Sequence, residues 1–204
     1  MTIRLHRGDL PDLSRYTGAV AVDTETMGLE PHRDRLCVVQ LSPGDGSADV
    51  VQIGKEIGPA PNLKKLLSDP AKTKIFHFAR FDVAMLYRWL GVMTGPVYCT
   101  KIASRLTRTY TDKHGLKDLT KELLGKDISK QQQSSDWGAE TLSEAQLAYA
   151  ADDVLNLHAL KSKLDAMLAR EGRTELAAAC FAFLPSRAQL DLSGWSEEDI
   201  FAHS

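Results

Sequence analysis

The order of hydrophobic patterns along the chain constrains its fold more than any single residue does. Short, β-branched-rich segments come first: AVAVDTET, LCVVQLSP, ADVVQIG and KIFHFA, parted by Gly, Pro and Asp turns. Between the last two, NLKKLLSD reads as one short helix. KIFHFA runs directly into FDVAMLYRWLG, where Phe81, Met85 and Trp89 keep helical spacing and Gly91 supplies a stop. From about residue 98 the apolar positions fall three and four apart, in CTKIASRL, in LKDLTKELLG and in a long segment starting near Ser143. Ser143 fits an N-cap with Gln146 completing a capping box, and that helix is expected to run to about Arg170, where Gly172 ends it. TELAAACFAFL gives a further helix leading to Pro185 and a short acidic tail. Strands first and helices after predict an α/β fold with a mixed, largely antiparallel sheet flanked by helices.

A length of 204 residues suits one such domain, expected over 1–204 with its core at about 4–185. Hydrophobic residues make up 43% and charged residues 25%, which argues against disorder. No apolar run approaches the roughly 18 residues that cross a bilayer, and MTIRLHRGDL puts charges where a signal peptide needs its apolar stretch. Cytoplasmic residence and no membrane partner are therefore expected. Cys37, Cys99 and Cys180 are odd in number and lack CxxC spacing, so reduced thiols are expected rather than disulfides or a zinc site. Net charge is −2, yet residues 101–130 hold eight Lys or Arg against four acids. That excess is either a phosphate-attracting surface or a solvated helix face.

Three fragments carry chemistry. In VAVDTETMGL, Asp23 and Glu25 sit two apart at the end of an apolar strand and so share a face. Paired carboxylates on a rigid strand repel unless cations or protons lie between them, and such oxygen ligands suit Mg²⁺ or Mn²⁺. In FHFARFDVAML, Asp82 stands at a strand-to-helix transition, where it is either a helix cap or a ligand. In AYAADDVLNL, Tyr149 and Asp153 are i and i+4 on one helix face, with Asp152 at i+3 as the rival. Each fragment alone has an ordinary structural explanation.

Their order is more specific. DxE, then a strand–helix Asp, then a late YxxxD resembles the DEDD exonucleases of the tyrosine subgroup. TKIASRLTRTYTDKHGLKDLTKELLG followed by DISKQQQSSDW is similar to ribonuclease D, through the HGLKDL helix start and the QSSDW turn. The resemblance spans about Arg4 to Pro185. It implies a ribonuclease-H-like fold with a five-stranded mixed sheet. It also implies two divalent ions, Mg²⁺ or Mn²⁺, held by Asp23, Glu25, Asp82 and Asp153: Asp23 bridging both, Glu25 and Asp153 completing the first site, and Asp82 holding the second, partly through water. Tyr149 would orient the attacking water, since a phenol with a pKa of about 10 is a poor base at neutral pH. The implied reaction is hydrolysis of single-stranded RNA or DNA from the 3′ end to nucleoside 5′-monophosphates.

The resemblance extends to second-rank substrate contacts. Met27, Gly28 and Leu29 lie where the last nucleotide would sit. His77 is either a packed residue or a contact, and His114 and Lys117 fall where relatives approach substrate. Trp137 either stacks on a base or belongs to the core. Two departures stand out. Only about 20 residues follow Pro185, so no HRDC helical domain is expected, and a homodimer is one way to supply the missing binding surface. Phe78, Arg80 and Phe81 are bulky for the stretch between His77 and Asp82, which implies a differently shaped channel. An exoribonuclease of RNA maturation or decay is the leading expectation. A DNA 3′→5′ exonuclease of repair comes next, and a non-catalytic nucleic-acid-binding module third, since such modules usually lose an acid and all four are present here.

Overall fold

The computed structural model describes residues 2–56 and 58–203. Six strands, β1 (Thr2–Arg7), β2 (Val20–Thr26), β3 (Leu36–Ser42), β4 (Ser47–Gln52), β5 (Lys74–Phe76) and β6 (Val97–Cys99), form one sheet in the order β1-β4-β3-β2-β5-β6. The expectation of five strands, largely antiparallel, is corrected here. β1 pairs parallel with β4, and β5 parallel with both β2 and β6, leaving only β2–β3 and β3–β4 antiparallel. Both β1 and β6 escape pattern reading for physical reasons. β1 is a half-exposed edge strand with two arginines and a histidine, and β6 is three residues long.

The helices are α1 (Pro61–Ser68), α2 (Ala79–Leu90), α3 (Thr100–Thr107), α4 (Leu116–Leu124), α5 (Glu144–Leu155), α6 (Leu157–Arg170) and α7 (Thr174–Leu190). The expected long helix from Ser143 to Arg170 is two helices. Asn156 parts them, its carboxamide donating to the Asp152 carbonyl, and α6 restarts after it with Leu157, Leu160, Leu164 and Leu168 as its buried stripe. The capping box at the start of α5 forms as its residues suggest, with Ser143 Oγ accepting from Gln146 N at 3.2 Å and Gln146 Oε1 accepting from Ser143 N at 2.9 Å. α7 continues past Pro185 to Leu190, then closes in a wide turn over Asp191–Trp195.

Every residue of β3 and β4 is buried, so both faces of the sheet are covered. α5 lies across β2, β3 and β4 over a small core of Cys37, Val38, Val50, Trp137, Leu142 and Ala150. The main core, with Val20, Leu41, Ile75, Phe76, Met85 and Leu86, holds α2 and α6 against the rest of the sheet. This arrangement brings the end of β2, the start of α2 and the middle of α5 to one place. No helix of the described residues is long and apolar enough to cross a membrane.

Candidate active site

Val20, Ala21 and Val22 are fully buried and fix β2 between β3 and β5, so Asp23 and Glu25 emerge together where the strand leaves the core. α5 supplies the third acid. Carboxylate oxygens of Asp23, Glu25 and Asp153 all lie within 4.8 Å of one another. Asp152 is outside this group; burial raises its pKa while Lys126 opposes the shift. Gln40, opposite Asp23 on β3, donates its Nε2 to Asp23 Oδ2 at 2.8 Å and orients that carboxylate.

Asp82 is not a helix cap. The cap position of α2 is Phe78, and Asp82 lies within the first turn, 3% exposed, accepting from Thr24 Oγ1 at 2.6 Å. Thr24 points off the opposite face of β2 from its two acidic neighbours, so Asp82 approaches the end of the strand from the other side. It stands one step behind the other three acids.

Burial is the largest cause of a raised pKa in all four carboxyls. Asp23 stands well above the usual carboxylate range, with Asp82, Asp153 and Glu25 adding to the shift. Glu25 is pushed up to about 9 by burial and then by Asp153 and Asp82. Asp82 and Asp153 are each pushed up to about 7, opposed by hydrogen bonds from Thr24 and Tyr149 respectively. Four acids that resist ionising together form a site that positive charge stabilises. Hard, acceptor-only oxygens at this spacing fit Mg²⁺ or Mn²⁺.

Tyr149 shares the face of Asp153, and its pKa is raised by burial and by the nearby carboxylates, so it remains a protonated donor at neutral pH. Trp137 belongs to the small core under α5. It is 2% exposed, and its ring lies 5.9 Å from that of Tyr149, which it backs from the core side. Gln146 Nε2 donates to the Asp136 carbonyl and ties the Trp137 turn to the same helix, α5.

A cleft of about 300 Å³ opens over the acids. Asp23, Glu25, Tyr149 and Asp153 line its floor, and His77, Lys101, Lys117 and Lys130 stand on its rim. The Thr100 hydroxyl donates to the Phe76 carbonyl at 3.2 Å and sits 2.9 Å from His77 Nδ1. It therefore accepts from Nδ1–H, which leaves Nε2 as the ring's acceptor. Burial, then Lys101, lowers the pKa of His77 to about 3, so the ring is neutral. His114 is turned elsewhere, 2.8 Å from Ser104 Oγ. Met27 and Leu29, 53% and 78% exposed, lie beyond the end of β2. At Gly28 the close approach is made by the chain itself: a Cβ there would lie 2.2 Å from Asp34 Oδ2.

Thr24 and Gln40 are not singled out by the sequence patterns, and Lys101 and Lys130 figure there only within the basic excess of residues 101–130. Thr24 carries a signal, since it lies between the two acids and must face the opposite way, toward α2. Gln40 carries a weaker one, a polar residue inside an apolar strand. The basic excess of residues 101–130 does not all face the cleft. Arg108 is fully buried, ion-paired with Glu122 and donating to Ser104 Oγ and the Lys113 carbonyl. Lys121 pairs with Asp127 at 3.2 Å.

One strand, β2, and two helices, α2 and α5, of a ribonuclease-H-like fold bring four acids together beside a basic rim, the arrangement of the metal-dependent nuclease class. The chain belongs to the 3′-5′ exonuclease family, whose sequence profile matches residues 10–169. Ribonuclease D of Acidiphilium cryptum is 37% identical over 156 residues, covering 76% of this chain and 39% of that protein. The chain thus spans about two-fifths of the length of the curated relatives of this kind that it matches. Brucella melitensis NrnC, solved with bound Mg²⁺, superposes with a TM-score of 0.97 at 64% identity over the whole of both chains, and it has also been solved bound to pGG. Escherichia coli ribonuclease D shares the fold, with a TM-score of 0.82 at 24% identity over 97% of this chain and 54% of that one.

Proposed function

We propose that this chain is a divalent-metal-dependent 3′→5′ exoribonuclease that releases nucleoside 5′-monophosphates one at a time from single-stranded RNA ends. The observation that carries the reading is the convergence of Asp23, Glu25 and Asp153 within 4.8 Å, with Asp82 buried behind them. These four acids would hold two ions, Mg²⁺ or Mn²⁺, and Asp82 would act from its recessed position. When bound, such ions lower the pKa of the attacking water and offset charge on the scissile phosphate and the departing 3′ oxygen.

The chain's own residues do the positioning. Gln40 fixes the rotamer of Asp23, and Thr24 fixes that of Asp82. Tyr149, kept protonated, orients the attacking water by hydrogen bond beside Asp153. Lys101, Lys117 and Lys130 receive phosphates at the rim. Met27, Gly28 and Leu29 border the terminal nucleotide. Binding of pGG by a relative 65% identical over its whole length supports a short nucleic acid as the ligand of this chain.

The test is digestion of 5′-labelled and 3′-labelled RNA and DNA of equal sequence with Mg²⁺ or Mn²⁺. The expected result is a ladder shortening from the 3′ end, faster on RNA, absent with chelator and absent in Asp23→Asn. Internal cuts or metal-independent cleavage would overturn the reading. Faster digestion of DNA would assign a deoxyribonuclease instead, and no cleavage at all a binding module.

A further inference from the structure

Two non-glycine residues among those described adopt positive φ, Ala60 at 41° and Phe78 at 67°. Left-handed backbone costs an L residue on the order of 1–2 kcal/mol and persists where something else requires it. For Ala60 the requirement is packing, because its methyl group is 3% exposed in the main core. Phe78 has no such explanation. Its side chain is 45% exposed, although the residues around it, Phe76, Ala79 and Asp82, are buried. A glycine would make this turn without strain. An aromatic ring held out into solvent by strained backbone has a use outside the core.

Its surroundings indicate the use. Phe78 follows β5 and His77 directly and lines the cleft that holds Asp23, Glu25 and Asp153. It also lines a second cavity, of about 440 Å³, with Lys101 and Arg105, so Phe78 and Lys101 stand between that cavity and the cleft. The ammonium of Lys101 lies 4.2 Å from the ring centroid, covering part of the ring and placing positive charge beside the rest. Any nucleobase presents a π face that stacks on such a ring, and its 5′ or 3′ phosphate would meet the lysine.

We propose that Phe78 is a stacking platform for a nucleobase at one of the two nucleotides flanking the scissile phosphate, with Lys101 contacting the adjoining phosphate. This rests on the exonuclease reading above and adds to it the means by which this chain grips a base. Phe78 touches no reacting atom. Its effect therefore falls on KM rather than on turnover.

The experiment compares wild type, Phe78→Gly and Phe78→Tyr on a short RNA and on the same RNA with a base-free ribose at each of its two 3′-terminal positions in turn, all with Mn²⁺. Loss of one stacking contact predicts a KM about ten-fold higher for Phe78→Gly on the intact RNA, with kcat changed little. With one of the two base-free substrates, the gap between wild type and Phe78→Gly should shrink to under about two-fold. Phe78→Tyr, which keeps the ring, should behave as wild type. Phe78→Gly should melt at or above the wild-type temperature, since glycine relieves the strain, whereas a merely structural ring would lower it. An unchanged KM in a folded Phe78→Gly, or an equal loss on all three substrates, overturns the stacking role alone. Wild-type protein that shortens none of them overturns the exonuclease reading itself.

Discussion

The acids on the floor of the cleft come from β2 and α5, with Asp82 of α2 buried behind them, whereas the lysines on its rim come from the first turns of α3 and α4 and from the segment between α4 and α5. The floor is over-determined. Asp23 is held by Gln40, Asp82 by Thr24, and α5 by a full capping box, with Trp137 behind Tyr149. The rim is not. Lys101 and Lys117 are each the second residue of a helix, where the helix dipole disfavours a cation by about 0.3–1 kcal/mol. The floor thus spends stability on crowding negative charge, and the rim spends a little on misplaced positive charge. An arriving chain of phosphates with its counter-ions relieves both. Catalytic groups need placement to about 0.5 Å, which the held floor supplies, while the rim needs only charge within reach.

The floor breaks first. Asp153→Asn should cost on the order of 10³ in turnover, as loss of a preorganised charge at the reacting centre does, while Asp152→Asn should stay close to wild type. Initial rates on labelled RNA decide it, and comparable losses in the two variants would mean that the helix turns its other face to the cleft in solution. Tyr149→Phe should be next, about 10²-fold in kcat. Isothermal titration with Mn²⁺ should show affinity nearly unchanged, and a collapse of both would refute orientation of water as its role.

The same contrast explains what could be read from the chain. The floor was legible because two periodicities place it: alternation puts Asp23 and Glu25 on one face of a strand, and the i, i+4 spacing puts Tyr149 and Asp153 on one face of a helix. The role of Asp82 was half legible, since its position near a helix start suggests a cap and only the tertiary contact with Thr24 shows otherwise. The rim was only partly legible, because charge in a sequence does not announce burial. Arg108 counts as basic surface until Glu122, Ser104 and the Lys113 carbonyl are seen around it. The strands β1 and β6 were lost for a similar reason, as each is recognised by its neighbour in the sheet and not by its own pattern. Trp137 was ambiguous by nature, since a large aromatic in a turn suits core and substrate equally.

The floor also makes stability depend on pH in an unusual direction. Asp82 and Asp153 have folded values near 7 and Glu25 near 9, above their ordinary values of 3.8 and 4.5. A carboxyl raised on folding binds its proton more tightly in the native state. Its contribution to stability is therefore fully present below the unfolded value and is lost as pH rises through the folded one. Metal-free protein should lose melting temperature between about pH 5 and 9, and Mg²⁺ should restore it at the alkaline end. Asp153→Asn should flatten the slope. Burial of neutral His77 pulls the other way at acid pH, because its value falls from 6.5 to about 3, so the comparison belongs above about pH 7. A wild-type slope unchanged in Asp153→Asn would place the titration elsewhere.

The rim should yield the smallest effect, and salt separates it from the floor. Lys117→Ala removes one phosphate contact without touching the acids, so KM on RNA should rise only a few-fold at physiological salt and kcat should hold. The diagnostic quantity is the salt dependence. Each phosphate contact releases condensed counter-ions, so the slope of log affinity against log salt should shrink by roughly 0.7 for a single strand. Binding of a metal-free Asp23→Asn background to labelled RNA at several salt concentrations measures this without turnover. The same substitution removes a cation from the first turn of α4, so the variant should be no less stable than wild type. A steep KM effect with an unchanged salt slope would mean that Lys117 shapes the α4 start instead of meeting the nucleic acid, and the division between floor and rim would then fail at that residue.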